Sequence, residues 1–271
     1  MVCFASMLAL WVALLAAQVS DAPTAPRPLK WNPELDVSAT AAMTGFWVLT
    51  ETALKPTLAP SACEWCRTNS VDLGVRRLLG SHTFANRSNA DAASNVTTAA
   101  APLLLLGLDA LFVRQSGGDP RDWGTDVVLV AEAAAASMTL NQTVKFLVGR
   151  ERPFASDLTP AQKAARNDDD ANLSFFSGHS TITASIAAAA GTIAWLRGYR
   201  HPWIAWVVGG TIAVATGLLR ISADKHWFSD VVTGLVIGSS VGVGVPLLLH
   251  GRALPVSVSL SPNGVTAIVR F

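Results

Sequence analysis

Five apolar stretches dominate the chain after residue 91, at about 92–113, 124–148, 179–197, 203–219 and 230–249. Each approaches the ~20 residues that a helix needs to cross a bilayer. Composition points the same way. Hydrophobic residues make up 51% of the 271 and charged residues only 14%, where a soluble domain carries about a quarter charged. The alternative is a soluble α-bundle whose helices are Ala-rich. Several stretches hold polar groups, among them Asp109, Asp126, Glu132, Asn141 and Lys145. Ionisable residues in such positions face a bundle interior and often mark function. The expected fold is all-α, a bundle of about five to six mostly membrane-type helices.

The same composition excludes a disordered chain. With 20 basic and 19 acidic residues the net charge is +1, so no electrostatic footprint for nucleic acid exists. Three cysteines cannot build a disulfide scaffold, and no paired CxxC zinc pattern occurs. Residues 1–22 are apolar and end in Ser20-Asp21-Ala22, which reads as a signal peptide or an uncleaved N-terminal anchor. Either sends the chain along the secretory route, where Cys63 and Cys66 of SACEWCR are expected to form a local disulfide rather than a metal site.

Four regions follow: 1–22; an exported linker and amphipathic-helix region over 23–91; a helical core over 92–250; and a tail over 251–271. Residues 36–53 read as an interfacial or packed helix, and 54–91 as a polar connection with four arginines. Arg114 and Arg121 in one short loop, and Arg197, Arg200 and His201 in another, place those loops on the cytoplasmic side. The loops at 150–178 and 220–229 then face outward. In the tail, Val256, Val258 and Leu260 alternate with serines before Pro262-Asn263-Gly264, the pattern of a β-hairpin.

Three short stretches put cations and histidines beside membrane-type helices. In Lys145–Pro153, two cations flank a helix end, because proline disfavours helix at Arg152. In Phe176-Ser177-Gly178-His179-Ser180, the backbone N–H groups of Ser177 and Gly178 open a helix, where phosphate binds readily. In Arg220–Asp230, His226 and Asp230 share a face if helical, and the carboxylate can fix the imidazole tautomer. Singly, each has an ordinary explanation: an interfacial anchor, a structural histidine, an N-cap. The run of acids Asp168-Asp169-Asp170 reads as a solvated loop.

Together, K-x6-R-P, S-G-H and R-x5-H-x3-D resemble the tripartite signature of the type 2 phosphatidic acid phosphatase family, which includes the vanadium haloperoxidases. Two positions depart from the family pattern: Phe176 stands where proline is usual and Leu219 where serine is usual. The resemblance implies that His226 is the nucleophile that forms a phosphohistidine. It makes His179 the general acid and then base, and Asp230 the support of the nucleophile. Lys145, Arg152 and Arg220 hold the phosphate oxygens, with Ser177 and Gly178 completing the cradle. No metal or cofactor is implied, vanadate entering only for a haloperoxidase.

The expectation is a metal-independent phosphatase acting on a lipid phosphate or diphosphate at the outer face of a membrane. The alternatives are a soluble exported acid phosphatase of broad specificity, a vanadium haloperoxidase, and a non-catalytic phospholipid binder. Asn86, Asn95, Asn141 and Asn172 each begin an N-x-Ser/Thr sequon. Trp227 and Phe228, next to His226, can contact an acyl chain or pack in the core.

Overall fold

The protein is described by a computed structural model over residues 25–81, 83–166, 168–251, 256–261 and 264–269. The signal-like stretch 1–22 lies outside the described residues. Helix α1 (Pro33–Thr52) is followed by one turn, α2 (Lys55–Leu58), and by α3 (Ser70–Leu79). The body is α4 (Phe84–Gln115), α5 (Pro120–Val148), the short α6 (Pro153–Ser156) and α7 (Pro160–Arg166), then α8 (Gly178–Arg197), α9 (Trp203–Ser222) and α10 (Phe228–Val245). A π turn, Pro246–His250, extends α10. Beyond it the backbone of β1 (Val256–Ser261) pairs antiparallel with β2 (Gly264–Val269).

Among the described residues, four helical segments are long and apolar enough to cross a membrane: α4, α5, α9, and α10 with its π turn. The fifth apolar stretch, now α8, is not among them, and its position explains why. It is the central helix, packed against α4, α5, α9 and α10, and sixteen of its residues are buried. A helix enclosed by protein does not need a lipid-compatible surface. It carries small residues and hydroxyls instead, and Thr181, Thr183 and Thr192 bond back to carbonyls four residues earlier. Ser185 reaches across to the Ala133 carbonyl at 3.0 Å. α10 meets α8 through a glycine stripe, Gly234, Gly238 and Gly242. A Cβ on Gly238 would lie 2.3 Å from the Thr181 carbonyl oxygen, so only glycine permits this approach.

The helices alternate in direction and define two ends. At one end the α4–α5 turn is closed by the reciprocal Asp119–Asp122 capping box, and α8 ends at left-handed Gly198. Arg197, expected as a loop cation, is instead 3% exposed. It donates to Asp126 at 2.8 Å and Asp122 at 3.0 Å, because a buried guanidinium is tolerated only when paired. The exposed basic residues at this end include Arg114, Arg121 and Arg200. α1 packs along α5, capped by the Asn32 side chain. Below it, His250 is tied to the Lys30 carbonyl and to Glu132. The opposite end gathers the three polar stretches.

Candidate active site

α5 stops at Val148, earlier than proline at 153 suggests, because Gly149 takes up the left-handed conformation (φ 55°) that glycine tolerates. Lys145 is therefore in the last turn, buried, at the mouth of the bundle. Arg152 follows in extended conformation before Pro153. It is 4% exposed, and its Nη2 reaches the Leu173 carbonyl at 3.4 Å and Asp170 at 3.5 Å. Arg220, in the last turn of α9, donates to Asp91 and, at 3.1 Å, to Ser94 Oγ. Among the described residues the buried Nε atoms of Arg152 and Arg220 have no hydrogen-bond partner. Buried donors of this kind require a partner, and an anion supplies one.

His226 lies in the turn between α9 and α10 and is 2% exposed. Its Nδ1 is 2.8 Å from the Ser174 carbonyl. A carbonyl only accepts, so Nδ1 carries the proton and Nε2 keeps its lone pair. Asp230 is thus not the direct partner expected from the i, i+4 spacing, since its nearer oxygen is 3.8 Å from Nδ1. That carboxylate accepts instead from Ser174 Oγ at 2.5 Å and from the Trp227 N–H at 2.9 Å, capping α10. It supports the imidazole through Ser174. Burial first, then the charges of Arg152, Arg220 and Lys145, hold the His226 pKa well below that of an ordinary histidine. The imidazole is neutral at neutral pH.

Ser177 caps α8, its Oγ taking the Ser180 hydroxyl at 3.0 Å. Its own N–H is not free for a ligand, because it donates to the Asp230 carbonyl at 3.1 Å. Gly178 is the first helical residue. A Cβ there would lie 3.1 Å from Asn141 Oδ1 and 3.3 Å from Lys145 Nζ, which puts the Lys145 ammonium directly against the helix start. His179 Nε2 is 2.7 Å from Asn95 Oδ1, so that nitrogen donates. The three stretches therefore meet at one end of the bundle.

Several partners were not legible from the motifs. Asp91, Ser94 and Asn95 present one face of α4 to Arg220 and His179; their i, i+3, i+4 spacing is the only local signal. Asn141 Nδ2 holds the Phe176 carbonyl at 2.7 Å. Of the four sequons, Asn141 is thus buried inside the protein, while Asn95 is exposed but hydrogen-bonded to His179. Arg150, between the two cations of the first stretch, is ion-paired to Asp72 and Asp230. Trp227 is 2% exposed, with its indole N–H on the Glu151 carbonyl, so it packs in the core. Asp170 is not simply solvated. It pairs with Lys55 at 2.6 Å, and Arg152 chiefly holds its carboxyl far below the usual range. A cleft of about 440 Å³ lined by Lys55, Arg166 and Asp168 to Asp170 lies beside it.

Cys63 and Cys66 form a disulfide. Asp36, Glu132 and His250 could group round a cation, but they sit well below the site, deep along α5.

Residues 126–253 match the model of the PAP2 superfamily. A lipid A 1-phosphatase of Porphyromonas gingivalis is 30% identical over 175 residues, which cover 65% of this chain and 34% of that relative. The chain thus spans about a third of the length of this curated relative. A crystal structure of a transmembrane PAP2-type phosphatidylglycerolphosphate phosphatase from Bacillus subtilis aligns with a TM-score of 0.45 at 18% identity. That alignment covers 78% of this chain and 93% of the other.

Proposed function

Because residues 126–253 match the model of the PAP2 superfamily, we propose that this protein is a membrane phosphatase that hydrolyses a lipid phosphate or diphosphate monoester. The observation that carries this reading is His226. It is neutral, with its Nε2 lone pair free and its Nδ1 proton committed to the Ser174 carbonyl. The charges of Arg152, Arg220 and Lys145 act on it.

In the proposed reaction His226 Nε2 attacks phosphorus and the ester oxygen leaves, giving a phosphohistidine. The departing alkoxide takes a proton from His179. Water then attacks the phosphohistidine, His179 accepts its proton, and phosphate leaves with Nε2 restored. Lys145, Arg152 and Arg220 neutralise the equatorial oxygens, the two arginines through the Nε groups that lack partners. Removing one such donor is expected to cost about 10²–10³-fold in rate. Because Asn95 accepts the Nε2 proton of His179, proton delivery from that nitrogen requires the bond to pass from Asn95 to the substrate oxygen. Three cations do the work of a metal here, so hydrolysis is proposed to be metal-independent. A lipid substrate fits four membrane-capable helices around a site at their end. The exposed arginines at the other end favour an outward-facing site.

The test is phosphate release by detergent-purified protein in EDTA, from lipid phosphates and water-soluble esters, beside His226→Ala. Release confined to lipids and abolished in the variant supports the reading. Equal release from soluble esters replaces it with a broad phosphatase. Halide oxidation after vanadate loading, without phosphate release, replaces it with a haloperoxidase.

A further inference from the structure

The Cys63–Cys66 loop lies outside the matched segment 126–253, yet it is built into the site. The disulfide closes a loop containing only Glu64 and Trp65. Their N–H groups donate to the Gly149 carbonyl at 3.0 and 3.3 Å, and the Glu151 N–H donates to the Trp65 carbonyl at 3.2 Å. This makes a short parallel bridge between Trp65 and Arg150. The Trp65 indole covers the Arg150 guanidinium, 4.2 Å from the ring centroid.

Arg150 is 1% exposed. Its Nη2 donates to Asp72 at 2.7 Å, and its Nη1 to Ser229 Oγ at 2.7 Å and to Asp230. Asp230 in turn accepts from Ser174 Oγ, and the Ser174 carbonyl takes the Nδ1 proton of His226. The Ser174 N–H is itself bound to the Arg150 carbonyl at 2.9 Å. A continuous set of contacts therefore runs from the disulfide to the imidazole.

We propose that Arg150 is the positioning residue of His226, and that the Cys63–Cys66 disulfide switches it by holding Trp65 over the guanidinium. The proposal rests on His226 being the nucleophile. A planar guanidinium can stack on an indole while its fork binds two carboxylates; an ammonium cannot do both. Opening the switch needs a dithiol. It gives two electrons and two protons to the disulfide, the S–S bond breaks to two cysteine thiols, and the dithiol becomes its own cyclic disulfide. Trp65 then loses the loop closure that orients it.

The experiment measures kcat, KM and the thermal midpoint of full-length protein in detergent, with a lipid phosphate substrate, before and after dithiothreitol. Reduction is verified by thiol alkylation and mass. Cys63→Ser/Cys66→Ser, Trp65→Ala, Trp65→Phe and Arg150→Lys are measured beside it. A misplaced nucleophile lowers kcat by about tenfold or more with KM within about twofold. That result is expected on reduction, in the double serine variant, which dithiothreitol no longer affects, and in Trp65→Ala and Arg150→Lys. Trp65→Phe is expected to restore most of kcat. Unchanged kcat after complete reduction overturns the proposal. So does a loss of kcat explained wholly by a smaller folded fraction. Absence of phosphate release from oxidised wild type overturns the phosphatase reading, and this proposal with it, whereas activity insensitive to reduction overturns this proposal alone.

Discussion

The tautomer of His226 follows from one hydrogen bond to a carbonyl, and the Ser174 main chain thereby orients the proposed nucleophile more directly than any carboxylate. Asp230→Asn keeps the shape but weakens the cap on α10 and the Ser174 contact, so kcat should fall more than KM rises, read from saturation kinetics. Gly178→Ala puts a Cβ against the Lys145 ammonium. The flexible side chain must yield, and a displaced cradle cation is expected to lower kcat/KM by about 10²-fold. The folded fraction, followed by size exclusion, should not change. Asn95→Asp sets a carboxylate against His179 and favours its imidazolium. The limb of the pH–rate profile that reports this group should move to higher pH; an unmoved profile removes His179 from the proton transfers.

At the scale of elements, the contact between α8 and α10 decides whether the site assembles. His179 and Ser177 open one of these helices, and Asp230 lies in the first turn of the other. Their approach depends on Gly238, where an added methyl would meet backbone rather than a yielding side chain. Gly238→Ala should cost about 1–3 kcal/mol by overpacking, seen as a lower thermal midpoint in detergent. The turn that lifts His226 is held from outside the core. Asp224 sits at φ 59°, unfavourable for a residue with a Cβ, and its carboxylate is gripped by Arg76 at 2.7 Å and Arg87 at 3.1 Å. α3 and the start of α4 are thus parts of the site's frame.

For the molecule as a whole, burying a neutral histidine among cations links stability to pH. The folded pKa of His226 is lowered from about 6.5, so below about pH 6.5 the unfolded chain binds a proton that the folded chain refuses. Its contribution is fully present above that pH and is lost as pH falls towards the folded value. The thermal midpoint should therefore drop on acidification from pH 7 to 5, and less steeply in His226→Gln. Orientation is tested with Cys3→Ser, which leaves Cys63 and Cys66 beside the site. After reduction, an impermeant maleimide should label intact cells if the site faces outward. Labelling only after permeabilisation reverses the orientation.

The sequence by itself determined the helical class, through apolar stretches of bilayer length. It also placed the polar stretches beside helix ends, because caps, prolines and spacing are local properties. Ser177 as an N-cap and Arg152 before Pro153 could be read this way. The partners of those residues could not. Asn95 meets His179 across 84 positions, and Asp72 meets Arg150 across 78. No local pattern carries such separations. Gly234, Gly238 and Gly242 do carry a visible i, i+4 signal, but what they approach depends on which helix lies opposite. The enclosure of α8 was equally hidden, since hydropathy records how apolar a helix is and not whether lipid or protein surrounds it. Tertiary structure also decided that Asp230 acts through Ser174. An i, i+4 spacing brings two side chains near each other, but the carbonyl of a distant loop is closer to the imidazole and takes its proton.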